Sequence, residues 1–296
     1  MTTPTRPPTT PRPSFPANKT LAICGNIAAG KSTFGRHFEQ YARKGWTWGE
    51  GDVILFEEEK LVQALLSAYL KDPATYGAHF QTVMAMEASA RQKHAETLRT
   101  AHSPHALVLI ERAALENTIF AEANCRMGNL SRAYKHDFYD EIIASLEAST
   151  PDLFVFLYVR DDVRVFRQDE RHRTDEDLYQ NEYLNMLGDV YFEWMVDLAA
   201  KKQLLVLDWN SESCMKTAVR TIAEVLNGTR TLPEVTIEEL CSSGESSEDG
   251  TSEVMTVCVG AAAPHSAYTG SVKKRRKMQY KVMEALAKFE PITVSF

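Results

Sequence analysis

The stretch Gly25-Asn26-Ile27-Ala28-Ala29-Gly30-Lys31-Ser32-Thr33 matches the phosphate-binding pattern G-x-x-x-x-G-K-[ST]. Its glycines let the backbone curl tightly, so that successive N–H groups point at phosphate oxygens. The pattern places Lys31 within reach of the outer phosphates of a nucleotide and the Ser32 hydroxyl on Mg²⁺. We therefore interpret residues 25–33 as a P-loop. The alternative is a tight strand-to-helix turn that carries an exposed lysine.

The residues on either side of this stretch support the P-loop. Residues 20–24 form a short apolar run that predicts a buried strand. Residues 34–44 carry apolar side chains at helical spacing, so the N-terminus of a helix faces the bound anion. Strand, loop and helix therefore follow one another in the order that phosphate binding requires.

Short apolar runs alternate with helical patterns from Lys19 to about Gly228. Strands are predicted at 20–24, 52–56, 105–110, 153–159 and 203–208. This alternation predicts an α/β fold, a five-stranded parallel sheet with helices on both faces and ligands at the carboxyl ends of its strands. The sequence predicts a disordered Pro- and Thr-rich leader at 1–18 and a globular domain at 19–230. It also predicts a flexible acidic, Ser-rich tail with a basic patch at 231–296.

Composition narrows the classes of function. The 296 residues are 44% hydrophobic and 25% charged, and the net charge of −7 does not favour nucleic acid binding through the core. No apolar run approaches the roughly 20 residues that span a bilayer. The five cysteines are scattered, odd in number and without a C-x-x-C pair. They indicate a reducing intracellular compartment, cytoplasmic or nuclear, and argue against a disulfide framework or a zinc site.

Charged residues follow two of the predicted strands. Glu57, directly after strand 52–56, is a candidate general base for a substrate hydroxyl, although an acidic first helical turn would also place a glutamate there. Strand 105–110 ends in Glu111-Arg112, a carboxylate suited to hold Mg²⁺ through water and an arginine suited to hold a reacting oxygen. The alternative for this second pair is a surface ion pair.

Four arginines at spacings of 4, 3 and 4 share one face of a predicted helix, and another follows: Arg160, Arg164, Arg167, Arg171 and Arg173. A solvated face neutralised by the interleaved acidic residues explains the first two. The last three lead into a polar loop, which favours a mobile basic flap that closes over a triphosphate.

The P-loop, Glu111-Arg112 and the pattern Arg167-x₃-Arg171-x-Arg173-x-Asp175-Glu176 resemble the deoxyribonucleoside kinases. This family includes deoxycytidine, deoxyguanosine and mitochondrial-type thymidine kinases and their viral relatives, and the resemblance runs from about residue 19 to 228. It implies a P-loop kinase fold, ATP and Mg²⁺ as cofactors, and a homodimer. It also implies phosphorylation of the 5′-hydroxyl of 2′-deoxynucleosides in nucleotide salvage.

The resemblance also assigns roles to individual residues. Glu57 would be the general base, and Arg112 would steer the substrate hydroxyl. Lys31 would be the P-loop lysine, and Arg171 and Arg173 would be the two flap arginines. Ser32 and Glu111 would hold Mg²⁺. Arg167 would pack on the ATP adenine, which the loop that begins at Asp208 would hold.

On the nucleoside side, the resemblance implies that Tyr69 and Glu176 bind the sugar 3′-hydroxyl and that Gln81 reads the base. Phe80 and Phe120 would stack on the two faces of the base, although core packing is the alternative for these aromatic side chains.

The chain departs from the family at several of these positions. Ala113 replaces the usual serine, and the segment 111–120 is one residue short, so Glu116 or Asn117 stands near the aspartate of the deoxycytidine type. Ala88 stands where that type has an arginine. We expect the space to admit the 5-methyl group of thymidine alongside deoxycytidine; the preferred base stays open.

Alternatives to a deoxynucleoside kinase are a nucleoside monophosphate kinase and a non-catalytic P-loop binding or interaction protein. The motifs D-x-x-G and N-K-x-D of a GTPase are absent. In the predicted tail, Lys273-Lys274-Arg275-Arg276-Lys277 is suited to a nuclear-import receptor, and the alternative is a solubilising tail. We expect removal of 231–296 to leave catalysis intact.

Overall fold

Five parallel strands form the centre of the molecule. This computed structural model describes residues 18–45, 53–57, 63–102, 107–136, 150–171, 179, 181–211, 215–238, 255–258, 272–290 and 292–295. The predicted leader, apart from Asn18, lies outside the described residues. So do the Ser-rich stretch at 241–253 and two of the predicted site residues, Arg173 and Glu176.

Strands and helices alternate along most of the chain. The strands are β1 (Lys19–Cys24), β2 (Val53–Phe56), β3 (Leu107–Glu111), β4 (Leu153–Tyr158), β5 (Leu204–Asp208), β6 (Val235–Glu238), β7 (Met255–Cys258) and β8 (Ile292–Ser295). The α-helices are α1 (Lys31–Gly45), α2 (Gln63–Lys71), α3 (Pro73–His102), α4 (Asn117–Arg126), α5 (Arg132–Tyr134), α6 (Asp161–Arg171), α7 (Asn181–Ala200), α8 (Met215–Leu226) and α9 (Val272–Lys288). A 3₁₀ turn spans Ala114–Glu116.

The central sheet has the strand order β2-β3-β1-β4-β5. Its register pairs Ile23 of β1 with Glu111 of β3, and Cys24 of β1 with Phe156 of β4. The loop that follows β1 therefore lies between the carboxyl ends of two neighbouring strands. The predicted α/β fold with a five-stranded parallel sheet is confirmed, and each strand lies within two residues of its predicted bounds.

The two faces of the sheet pack into separate cores because alternate side chains of a strand point to opposite faces. Leu21, Ile23 and Val155 face a core that is closed by Phe34 and Phe38 of α1, together with α8. On the other face, Ala22, Cys24, Phe154 and Phe156 pack under α7 and α9. Burial on both faces explains why these strands are apolar throughout instead of alternating.

The packing of α9 differs from the flexible tail predicted for 231–296. Val282 and Leu286 are buried in the same core as β4, β5 and α7. The ring of Tyr280 meets that of Tyr158 edge-on at 6.0 Å, and Gln279 Nε2 donates to Asp189 Oδ1 at 2.9 Å. The helix α9 packs there because β5 is an edge strand, and an amphipathic helix beside it covers apolar surface of the sheet. The basic residues 273–277 lie in the first turns of this helix, and Lys277 is exposed.

A second, smaller sheet holds three parallel strands in the order β6-β8-β7. Its middle strand, β8, follows both of its partners in the chain and pairs with each of them in parallel. Among the described helices, no segment combines the length and apolarity that crossing a membrane requires.

We predict that Leu286→Ala lowers the free energy of unfolding by about 2–5 kcal/mol, because it removes a fully buried leucine and leaves a cavity. Glu284→Ala, at an exposed position of the same helix, is the matched control and is expected to change stability by less than about 0.5 kcal/mol. Urea unfolding curves measure both values. Equally small effects would show that α9 does not pack on the sheet.

Candidate active site

The backbone between β1 and α1 has the conformation that a P-loop requires. Gly25 and Gly30 have φ values of +153° and +85°, and Ala28 has +60°. A Cβ atom on Gly25 would lie 3.1 Å from Ala29 Cβ and 3.3 Å from Leu157 O. Both the positive φ and the close contacts disfavour a larger residue at position 25.

The P-loop lysine is folded over its own loop. Lys31 is buried, and its Nζ donates to Gly25 O at 2.9 Å and to Asn26 O at 3.2 Å. α1 begins at this lysine, so the helix N-terminus and the ammonium group present positive charge at the same point. This is the arrangement that binds the phosphates of a nucleotide.

A serine and a carboxylate meet beside the loop. Ser32 Oγ donates to Glu111 Oε1 at 2.7 Å, and Glu111 is the buried last residue of β3. Mg²⁺ prefers oxygen ligands, and in kinases it is held by one or two carboxylates together with substrate phosphates. The two side chains therefore fit the magnesium role that the sequence indicated for them.

Arg112 adopts a left-handed backbone conformation, with a φ of +58°. Its N–H donates to Ile23 O at 3.1 Å, and its carbonyl accepts a bond from Arg91 Nη2 at 3.0 Å. Its guanidinium lies 4.4 Å from the centroid of the Phe120 ring. Because this φ is unfavourable for a side-chain-bearing residue, the contacts with α3 and β1 are needed to hold it.

Glu57 directly follows β2, the edge strand next to β3. Its Oε1 accepts a hydrogen bond from Arg36 Nε of α1 at 2.7 Å, and its side chain is 39% exposed. The structure thus places Glu57 at the carboxyl end of a parallel strand and within reach of solvent. Ligands of open α/β sheets bind at this end.

The helix α6 touches the P-loop through one of its arginines. Arg167 Nη1 donates to Ala29 O at 3.1 Å, and its Nη2 donates to Trp209 O at 2.7 Å. Trp209 follows Asp208, which is exposed and accepts two bonds from Asn210. The predicted adenine-side residues Arg167 and Asp208 are therefore brought together beside the loop.

The other arginines of α6 have different environments. Arg160 is 57% exposed and pairs with Asp162 at 3.1 Å, as a solvated face requires. Arg164 has only 12% of its side chain exposed and lies 3.6 Å from Asp161, which differs from the solvated position predicted for it. Arg171 ends α6.

Three predicted nucleoside-binding residues come from α2, which carries Tyr69, and from the first half of α3, which carries Phe80 and Gln81. Tyr69 and Phe80 stack with their ring centroids 4.6 Å apart and their planes at 4°. Tyr69 Oη donates to Asn124 Oδ1 at 2.9 Å, while burial raises the pKa of Tyr69. Gln81 is 1% exposed, and within the described part of the chain neither its Nε2 nor its Oε1 has a hydrogen-bond partner. Ala88, two turns further along, packs against Ala114.

Glu116, which was predicted to lie beside the nucleoside, is completely buried and contacts the P-loop. Its Oε1 accepts bonds from Gly25 N at 3.3 Å and from Tyr191 Oη at 2.5 Å, and Arg112 Nη1 lies 4.0 Å away. The pKa of the Cys24 thiol is raised by burial and by the charge of Glu116. The same two causes raise the pKa of Tyr191.

The sequence analysis did not identify Arg91, Asn124 and Tyr191 as parts of the site. The spacing along α3 could have indicated Arg91. It lies three residues after Ala88 and ten after Gln81, so all three share one face of the helix. Asn124 lies seven residues after Asn117 on α4, and both are buried. Tyr191 sits within an apolar helix, and nothing in its spacing marks it.

This geometry defines the class of the protein: a P-loop that opens onto a helix at the centre of a parallel sheet, beside a serine–carboxylate pair, belongs to the P-loop phosphotransferases. Within that class, the chain belongs to the deoxynucleoside kinase family, whose sequence pattern matches residues 21–233. The predicted family and the predicted phosphotransferase activity are thereby confirmed. Residues 234–296 lie beyond the match.

Solved structures with the same fold include a deoxyadenosine kinase from M. mycoides. Its complex with dCTP is 22% identical, with a TM-score of 0.56, and the similarity covers 71% of this chain and 99% of the other. Its complex with dATP is 25% identical, with the same TM-score, and the similarity covers 70% and 98% of the two chains. The similarity extends over nearly the whole of the mycoplasma enzyme.

We predict that Arg91→Lys lowers turnover about tenfold while the protein stays folded, because one ammonium cannot hold both Glu87 and the Arg112 carbonyl as the guanidinium does. Arg99→Lys, on the same helix and paired with Glu96, is the matched control. Steady-state kinetics and thermal unfolding measure the two effects. Wild-type turnover in Arg91→Lys would show that Arg112 holds its conformation without this contact.

Proposed function

We propose that this kinase transfers the γ-phosphate of ATP to the 5′-hydroxyl of thymidine and deoxycytidine, a reaction of nucleotide salvage. The observation that carries the proposal is the buried amide of Gln81, which has no hydrogen-bond partner among the residues that the structure describes and lies beside the stacked rings of Tyr69 and Phe80. Buried amides are almost always hydrogen-bonded, so such a group indicates a ligand that completes it.

The chemistry of Gln81 matches the edge of a nucleobase. A carboxamide offers one acceptor and two donors, which suffices to read a Watson–Crick edge. Phe80 and Phe120 supply aromatic faces on which a base stacks. Ala88 and Ala114 are small side chains that lie in contact, which supports a site that accepts a pyrimidine with a 5-methyl group.

The phosphate donor is assigned to the P-loop. The N–H groups of residues 25–33 and the Lys31 ammonium bind the β- and γ-phosphates, while Arg167 and the loop at Asp208 hold the adenine. Ser32 and Glu111 would hold Mg²⁺, which neutralises charge on the phosphates when it is bound. The flap residues Arg171 and Arg173 bring positive charge to the transferred phosphoryl group on closure.

The acceptor side uses the residues that follow β2 and β3, a tyrosine of α2, and Glu176. Glu57 takes the proton of the 5′-hydroxyl as the oxygen attacks the γ-phosphorus, and Arg112 holds that oxygen in line. The Tyr69 hydroxyl and Glu176 bind the 3′-hydroxyl. The pairing of Glu57 with Arg36 at 2.7 Å keeps a cation next to the proposed base.

Two further proposals concern assembly and location. The family resemblance supports a homodimer in the cytoplasm or nucleus. The basic residues 273–277 carry five cations at the start of α9, which suits the acidic groove of a nuclear-import receptor.

The proposed substrates are tested with labelled ATP and each of the four deoxynucleosides and their monophosphates. We expect phosphorylation of thymidine and deoxycytidine, and Ala88→Arg is expected to lower kcat/KM for thymidine by about tenfold more than for deoxycytidine, because the arginine fills the space for the methyl group. Exclusive use of purine nucleosides would contradict the pyrimidine assignment. Exclusive use of monophosphates would identify a monophosphate kinase instead.

We predict that Glu57→Gln lowers kcat about 10²–10⁴-fold and leaves the affinity for ATP nearly unchanged, because the base acts on the acceptor hydroxyl only. Glu234→Gln, an exposed carboxylate after the last helix of the kinase match, is the control. Turnover and equilibrium binding of ATP are measured in parallel. Near-wild-type turnover in Glu57→Gln would assign the base elsewhere.

A further inference from the structure

We propose that Glu116 and Tyr191 form a buried positioning pair that sets the first peptide of the P-loop and the guanidinium of Arg112 in one arrangement. The proposal rests on the proposed roles of Lys31 and Arg112 in phosphoryl transfer. It does not depend on which nucleoside is the acceptor.

The carboxylate of Glu116 is buried inside the protein. Glu116 has no exposed surface, and it ends the 3₁₀ turn that connects Arg112 to α4. A buried carboxylate is unfavourable unless hydrogen bonds and a nearby cation compensate for lost hydration. Gly25 N, Tyr191 Oη and the Arg112 guanidinium supply these, and each belongs to a different segment.

Several contacts converge on the backbone of Gly25. Its N–H donates to Glu116, while its carbonyl accepts a bond from Lys31 Nζ at 2.9 Å and lies 3.3 Å from Tyr191 Oη. The peptide groups on both sides of Gly25 are thus held. The Gly25 carbonyl also orients the Lys31 ammonium. A displacement of Glu116 would therefore move Gly25 and, with it, the lysine that binds phosphate.

Glu116 also connects the P-loop to Arg112 on the acceptor side. Arg112 Nη1 lies 4.0 Å from Glu116 Oε1, and its guanidinium is also stacked on Phe120. Oε2 of Glu116 has no hydrogen-bond partner within the described residues, so the carboxylate is joined to its surroundings almost wholly through Oε1. Tyr191 Oη, which donates to that oxygen at 2.5 Å, is therefore the group that fixes its direction.

The pair is tested with two isosteric variants that remove different interactions. Tyr191→Phe keeps the charge of Glu116 and removes the hydroxyl, while Glu116→Gln keeps the size and removes the charge beside Arg112. Tyr76→Phe and Glu182→Gln, both at exposed positions, are the matched controls. Mg-ATP affinity is measured without acceptor by calorimetry, kcat and KM are measured for each nucleoside, and unfolding curves establish that each variant is folded.

We expect Tyr191→Phe to weaken Mg-ATP binding by about tenfold, because a hydrogen bond to a charged group is lost. Glu116→Gln is expected to weaken ATP binding and also to lower kcat by about tenfold or more. The ratio of kcat/KM between thymidine and deoxycytidine should stay the same in both variants.

Two results would overturn the proposal. A changed nucleoside ratio with unchanged ATP affinity in Glu116→Gln would make Glu116 a base-reading residue. Lower stability with wild-type ATP affinity and kcat in both folded variants would give the pair a structural role alone. Because ATP affinity is measured without acceptor, a wild-type protein that rejects pyrimidine nucleosides would contradict the proposed substrate and leave this test intact.

Discussion

The turn at Gly25 is the constraint on which the rest of the structure depends. The chain must leave the central strand β1 and enter α1 within a few residues, and at Gly25 both the positive φ and the nearness of Ala29 and Leu157 disfavour any side chain. Because β1 lies between β3 and β4, the same turn meets Glu111 and Arg112 on one side and Leu157 on the other. The positions of the P-loop, of the Ser32–Glu111 pair and of Arg112 are therefore consequences of one strand order.

Much of this could be predicted from the sequence for a physical reason. Parallel strands buried on both faces are continuous apolar runs, and helices between them force the parallel order, so the sheet was predicted to within two residues per strand. The P-loop and the residues after β2 and β3 then followed, because strand ends converge at one edge of a sheet. The expectation that Ser32 and Glu111 lie together needed no more than this.

What could not be predicted depends on the approach of distant segments. Tyr191 and Glu116 are 75 residues apart, and only the packing of α7 on the sheet brings them together. Arg91 is recognisable as a buried residue of α3, but not as the donor to Arg112, because the left-handed conformation there is invisible in the sequence. The flexible tail was predicted from the acidic, Ser-rich stretch at 241–253. The apolar spacing of Val282 and Leu286, which belong to the helix that packs on the edge strand β5, indicates an ordered helix instead.

The strand order of the small sheet determines when it is able to form during synthesis. The five strands of the central sheet are all present once the chain has reached Asp208, but the helix α9, whose Val282 and Leu286 are buried against that sheet, is made later. The small sheet must wait, since its middle strand β8 is made after both of its neighbours. Until then β6 and β7 each have an edge open to other chains. The newly made protein therefore passes through a stage in which α9 does not yet cover its part of the core, and β6 and β7 still lack the strand that lies between them.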